Sequence, residues 1–99
     1  MECAHFIVDG MLSGTGIRDV NNGGYIDPSA IGVSFELRAR ITEWLERYEQ
    51  AHFFQFENTE ENEVLDEDGI KIARLLKAEF PDHQITYFSN AQLKQLPFS

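Results

Sequence analysis

From Glu57 to Gly69 the chain reads ENTEENEVLDEDG, with seven carboxylates (Glu57, Glu60, Glu61, Glu63, Asp66, Glu67 and Asp68) and no Lys or Arg. Carboxylates at this density can ligate a hard cation, solvate a loop, or face a cationic partner. Calcium is the first test. An EF-hand loop needs oxygen ligands at its first, third and fifth positions, Gly at the sixth and Glu at the twelfth. With Gly69 as the sixth, Asp66 and Asp68 fall at the third and fifth, but the first is Val64 and the twelfth is Leu75. The pattern fails at both ends. A solvated acidic loop opening a helix is the better reading.

Other site chemistries fare no better. Cys3, His5, His52 and His83 lack the short paired spacings of structural zinc sites. The SGTG stretch, Ser13 to Gly16, resembles a phosphate cradle, yet no Lys-Ser/Thr follows it and no long helix begins after it. A turn that uses glycines for positive φ accounts for it. Ser13 has no Gly-x-Ser-x-Gly context for a nucleophilic triad. The expectation is therefore no catalytic residue, no cofactor and no metal. A second reading, a small enzyme or ligand-binding domain on the Asp9–Asp19 loop, would place Asp9, Ser13 and Asp19 around a concave pocket. A third, a structural or assembly subunit, would expose Trp44, Phe53, Phe54 and Phe56 as an apolar face.

The charge is concentrated. Between Arg47 and Lys71 lie eight acids and no base, out of 17 acids and 8 bases in the 99-residue chain, net −9. Such a field repels phosphates, which argues against direct nucleic-acid binding and against an anionic membrane surface. It attracts cationic surfaces and keeps the chain soluble.

The elements that must carry these residues follow from periodicity and punctuation. The length suits one domain, residues 1–99. A single cysteine allows no internal disulfide, as in a reducing cytosol. No signal peptide and no membrane-length apolar run is evident, so a cytoplasmic protein is expected. Phe6, Ile7 and Val8 form a buried strand before Gly10. Asn22-Gly23-Gly24 turns a hairpin whose arms are Ile17 and Tyr25-Ile26. Asp27-Pro28 opens one helical turn that Gly32 ends.

Ser34 caps a helix over residues 35–50, with Leu37, Ile41, Trp44, Leu45 and Tyr48 on one face and Glu36–Arg40 and Glu43–Arg47 pairs on the other. AHFFQF is either a docked loop or a further strand. A second helix covers residues 66–79, with Leu65, Gly69, Ile72, Ala73, Leu76 and Phe80 on its inner side and Gly69 permitting a close approach. Pro81 stops it. Residues 84–88 form a strand, and Asn90 caps a last helical turn. The fold class is α/β (α+β): a small sheet with N-terminal and C-terminal strands, a short hairpin, and two main helices packed on it.

Three strings, MLSGTGIRD, YIDPSAIGVSFELRARITEWLERYE and LDEDGIKIARLLKAEF, resemble small bacterial immunity proteins of polymorphic toxin systems, including contact-dependent growth inhibition. The shared features are Ser13, Gly14 and Gly16; Asp27 and Pro28; Trp44 and Tyr48; Asp66 and Gly69, over residues 11–80. The resemblance implies a cytosolic protein that binds and neutralises one cognate toxin, often a nuclease. The charge agrees with that implication, because a nuclease must present cations to phosphate. The expected partner is a basic toxin domain, bound by a monomer of this chain through Glu57, Glu60, Glu61, Glu63, Asp66 and Asp68.

Overall fold

The computed structural model describes residues 4–12 and 14–98. Ser13 and Cys3 lie outside them. Among the described residues there are four strands and two long helices: β1 (His5–Asp9), β2 (Ile17–Asp19), α1 (Phe35–Phe53), α2 (Thr59–Glu79), β3 (Gln84–Ser89) and β4 (Lys94–Leu96). The strand order is β2-β1-β3-β4. β1 runs parallel to β3, and both outer pairings are antiparallel. A parallel pair needs a long crossover, and here the two helices supply it.

Alternation along the strands decides which face the helices cover. In register, Phe6 pairs with Ile85 and Val8 with Tyr87, and all four are buried. Ile7 and Thr86, one residue on, are half-exposed. One face is thus core and the other meets solvent. The hairpin forms around Asn22-Gly23-Gly24, with Gly23 and Gly24 at φ of 76° and 74° and Arg18 bridged to Tyr25.

Asp27 caps a 3-10 turn, Pro28–Ile31, that ends at Gly32 in the left-handed region, φ 85°. Ser34 then caps α1, accepting from the Leu37 N–H, while its own hydroxyl and N–H donate to the Glu79 carboxylate at 2.6 and 2.8 Å. The start of α1 therefore meets the end of α2, and the helices form an antiparallel hairpin.

Leu37, Ile41, Trp44, Tyr48 and Ala51 are the buried stripe of α1. Leu45 sits at its margin, half-buried. The Trp44 indole is 1% exposed and donates to the Leu65 carbonyl at 2.8 Å. Its ring also meets Tyr48 edge-on, 5.1 Å between centroids.

Three expectations need correction. First, α2 starts at Thr59, one and a half to two turns before residue 66, so the acidic run is helical and not a loop. Asn58 caps it, accepting from the Glu61 N–H at 3.0 Å, and acids in the first turn suit the helix dipole. Second, AHFFQF is no strand, and only its end is a docked turn: α1 continues to Phe53, and the chain turns at Gln55 and Phe56, both left-handed with φ 56° and 57°, with Phe56 packed against the core. Third, no helical turn follows Asn90. The chain turns through Leu93, φ 56°, into β4.

Gly69 allows the close approach expected of it. A Cβ built there would lie 2.3 Å from Cε1 of Tyr87, inside any real contact. Gly69→Ala should lower stability by about 1–3 kcal/mol through overpacking, although Ala is the better helix former by about 1 kcal/mol. An unchanged denaturation midpoint would show that α2 can lift from β3 at no cost. Trp44→Ala should lower stability by about 3–5 kcal/mol, since the buried indole loses both packing and its bond to Leu65. Chemical denaturation measures both.

Candidate functional site

The acids of the run take different positions once α2 winds them around a helix. Glu57 precedes the cap and is exposed, as are Glu60, Glu61, Glu63 and Glu67. Asp68 is half-buried and accepts from Arg47 of α1 at 2.7 Å. Arg47 also approaches Glu61 at 3.9 Å. The sequence pairs Arg47 with Glu43; the antiparallel hairpin instead turns it across to α2.

Asp66 leaves the strip altogether. It is 5% exposed. Tyr87 donates to Oδ1 at 2.7 Å, and Ser89 Oγ and Gln92 Nε2 donate to Oδ2 at 2.9 Å each. The Tyr48 hydroxyl lies 3.4 Å from Oδ1. With three internal donors and little exposed surface, Asp66 is a structural carboxylate and not part of the displayed acidic strip.

A cleft of about 320 Å³ opens where α1 ends and α2 begins, walled by Arg47, Phe54, Glu57 and Glu61 among others. The corner beside it is fixed from within. Phe56 N–H donates to the Ala51 carbonyl at 2.8 Å, and Asn62 Nδ2 donates to the Phe56 carbonyl at 2.8 Å. The Phe56 ring packs on His52, 4.8 Å between centroids, and on Tyr48, 5.9 Å. Such packing holds two non-glycine residues in the left-handed region. Phe53 and Phe54 stay outside, 79% and 60% exposed, edge to face at 5.2 Å. Sequence reasoning grouped them with Trp44 and Phe56; the structure buries Trp44 and half-buries Phe56.

The Asp9–Asp19 loop has a different use for its carboxylates. Asp9 is 1% exposed and accepts from the Tyr25 hydroxyl at 2.7 Å and the Met11 N–H at 3.2 Å, with Arg18 Nε at 3.4 Å. Asp19 caps the hairpin turn, accepting from Asn21 N–H, Asn22 N–H and Asn22 Nδ2. The Asn22 side chain, foremost, holds the Asp19 carboxyl below its usual range. The cleft beside this loop, about 230 Å³, has neither Asp9 nor Asp19 on its wall.

The histidines have internal partners too. His5 bonds Thr86, His52 bonds the Gly10 carbonyl, and His83 Nδ1 accepts from the Ala4 N–H. Among the described residues no three His, Cys, Asp or Glu side chains are grouped to hold a metal ion. Nor is any helix among them long and apolar enough to cross a membrane.

Residues 12–90 match a protein family described as Serratia CdiI immunity protein-like. No curated protein and no solved structure matches the chain.

All three tyrosines face a carboxylate or a buried neighbour. Burial, foremost, raises the Tyr25, Tyr48 and Tyr87 phenols above the ordinary value of 10, and a facing Asp reinforces each shift. Folding therefore retains protons that the unfolded chain loses above about pH 10. Stability should be undiminished by these groups below that pH and fall as pH rises through it. Phenolate absorbance should appear together with loss of the circular-dichroism signal. A phenolate step near pH 10 with the fold intact would contradict the burial of these rings.

Proposed function

The chain belongs to the Serratia CdiI immunity protein-like family, and from that membership we propose that this immunity protein neutralises a cognate basic toxin domain, a nuclease, by charge-complementary occlusion. It does so as a monomer in the cytosol, by binding and without chemistry of its own. The observation that carries this reading is the display of Glu57, Glu60, Glu61 and Glu63 on the surface around the α1–α2 corner, with Asp68 and its partner Arg47 at the edge. A nuclease concentrates cations where it grips phosphate. An acidic surface is drawn to that region and covers it, and opposite charge speeds encounter.

Placement in a helix changes how the charge should be tested. Glu60 and Glu61 lie in the first turn of α2, where cations would oppose the dipole at about 0.3–1 kcal/mol each. Neutralisation is cleaner than reversal. In the variant Glu57→Gln, Glu60→Gln, Glu61→Gln and Glu63→Gln, association with the C-terminal domain of the protein encoded immediately upstream should slow about tenfold or more at low salt. The difference should vanish toward 1 M salt, where the Debye length is roughly 3 Å. Protection of cells from that toxin should weaken in parallel. Association and protection that match the wild type would leave these carboxylates as solubilising groups only.

A further inference from the structure

Three shallow grooves adjoin one another, two on the outer side of α1 and the third in the corner where α1 gives way to α2. The first, about 230 Å³, runs between Met11 and Leu12 on one wall and Leu45, Glu46 and Glu49 on the other. The second, about 430 Å³, shares Glu46 and Glu49 and continues to Gln50 and Phe53. The third, about 320 Å³, shares Gln50 and continues past Phe54 to Glu57 and Glu61. In the first two grooves the helical residues follow the spacing 45, 46, 49, 50, 53, a stripe opposite the buried Ile41, Trp44 and Tyr48, and from Gln50 the third turns into the corner between α1 and α2. The grooves are thus one track.

The track combines two properties. It exposes apolar surface, with Met11 43%, Leu12 53%, Phe54 60% and Phe53 79% accessible. It is also acidic: Glu46, Glu49, Glu57 and Glu61 flank it, and its one base, Arg47, is held by Asp68 at 2.7 Å. A knob of two phenyl rings between carboxylates is complementary to an apolar recess ringed by Arg and Lys. A cation can there meet a ring face and a carboxylate together.

Phe35, at the other end of α1, makes a useful contrast. It is 73% exposed, but the Arg38 guanidinium already lies 5.8 Å from its ring centroid. The corner that presents Phe53 and Phe54 is fixed by Phe56, so ordering it on binding costs little.

We propose that this track is the surface that grips the toxin, with Phe53 and Phe54 as its anchors and the acids as its steering rim. This rests on the toxin-binding reading and names the contact within it. The occupant is a folded basic domain with an apolar recess in its cationic face. Anchors act on dissociation, whereas rim charges act on encounter.

The test uses the full chain and the purified C-terminal domain of the protein encoded immediately upstream, with rates read by surface plasmon resonance. Phe53→Ala and Phe54→Ala should each raise Kd about tenfold or more, mainly through faster dissociation, with melting unchanged. Phe35→Ala should bind like the wild type. Wild-type dissociation rates in both corner variants would remove the anchors while leaving the toxin reading intact. No binding by the wild type at all would overturn both. Sedimentation showing a wild-type dimer that Phe53→Ala dissociates would give the face to a second copy of this chain and overturn the proposal.

Discussion

A buried carboxylate, Asp66, joins most of the structure. Its oxygens accept from Tyr87 and Ser89 of β3 and from Gln92 in the turn before β4, with Tyr48 of α1 close by. A charge taken out of water is costly unless it is fully hydrogen-bonded. The donors therefore must stay where they are, and with them the elements that carry them. The Tyr87 hydroxyl reaches Asp66 only because its ring lies against Gly69, one turn along the same helix face. Any side chain at Gly69 would push α2 off the sheet and stretch that bond. The Tyr48 ring makes the matching contact with Gly10, where a Cβ would lie 2.5 Å from the ring. Two tyrosines seated on two glycines thus set the spacing of both helices.

That spacing has an electrostatic consequence. With Glu79 bonded to Ser34 and Asp68 bonded to Arg47, the hairpin fixes the start of α2 beside the end of α1. The helix dipole makes that start a favourable place for carboxylates, so acids can accumulate there at small cost to the fold. Mutual repulsion among them is relieved by solvent and by Arg47. A surface with much negative charge and little internal compensation is what remains, and it lies next to the exposed rings of Phe53 and Phe54.

Much of this was legible from residue order. Ser34 at the start of α1, the apolar stripe through Trp44 and Tyr48, Asn22-Gly23-Gly24 at the turn, and Gly69 as a close approach all follow local rules, and local rules survive folding. The start of α2 was legible too, but its signal was outweighed. Asn58 followed three residues later by Glu61 is a cap with an acid at the third helical position, yet seven acids in thirteen residues read more readily as solvated loop. The Arg47 partner was not legible. On one helix, Glu43 is the natural neighbour, and only the tertiary hairpin brings Asp68 nearer. Strand β4 was also hidden, because three residues with two exposed side chains carry almost no pattern. The resemblance to immunity proteins, carried by Asp27-Pro28, Trp44, Tyr48, Asp66 and Gly69, pointed to the family while most of its residues proved to be architectural.

Asp66 shows where sequence reading of a charged run goes astray. Composition treats the seven carboxylates as equivalent, whereas helical phase does not. Asp66 is three residues before Gly69, seven before Ala73 and ten before Leu76, which is the inward stripe of α2. Glu60, Glu63 and Glu67 are spaced 3 and 4 apart on the outer side, all exposed. The same periodicity that finds a hydrophobic face therefore divides the acids into one that organises the fold and several that face solvent. A carboxylate in phase with the core is evidence about architecture, and only those out of phase belong in an argument about binding.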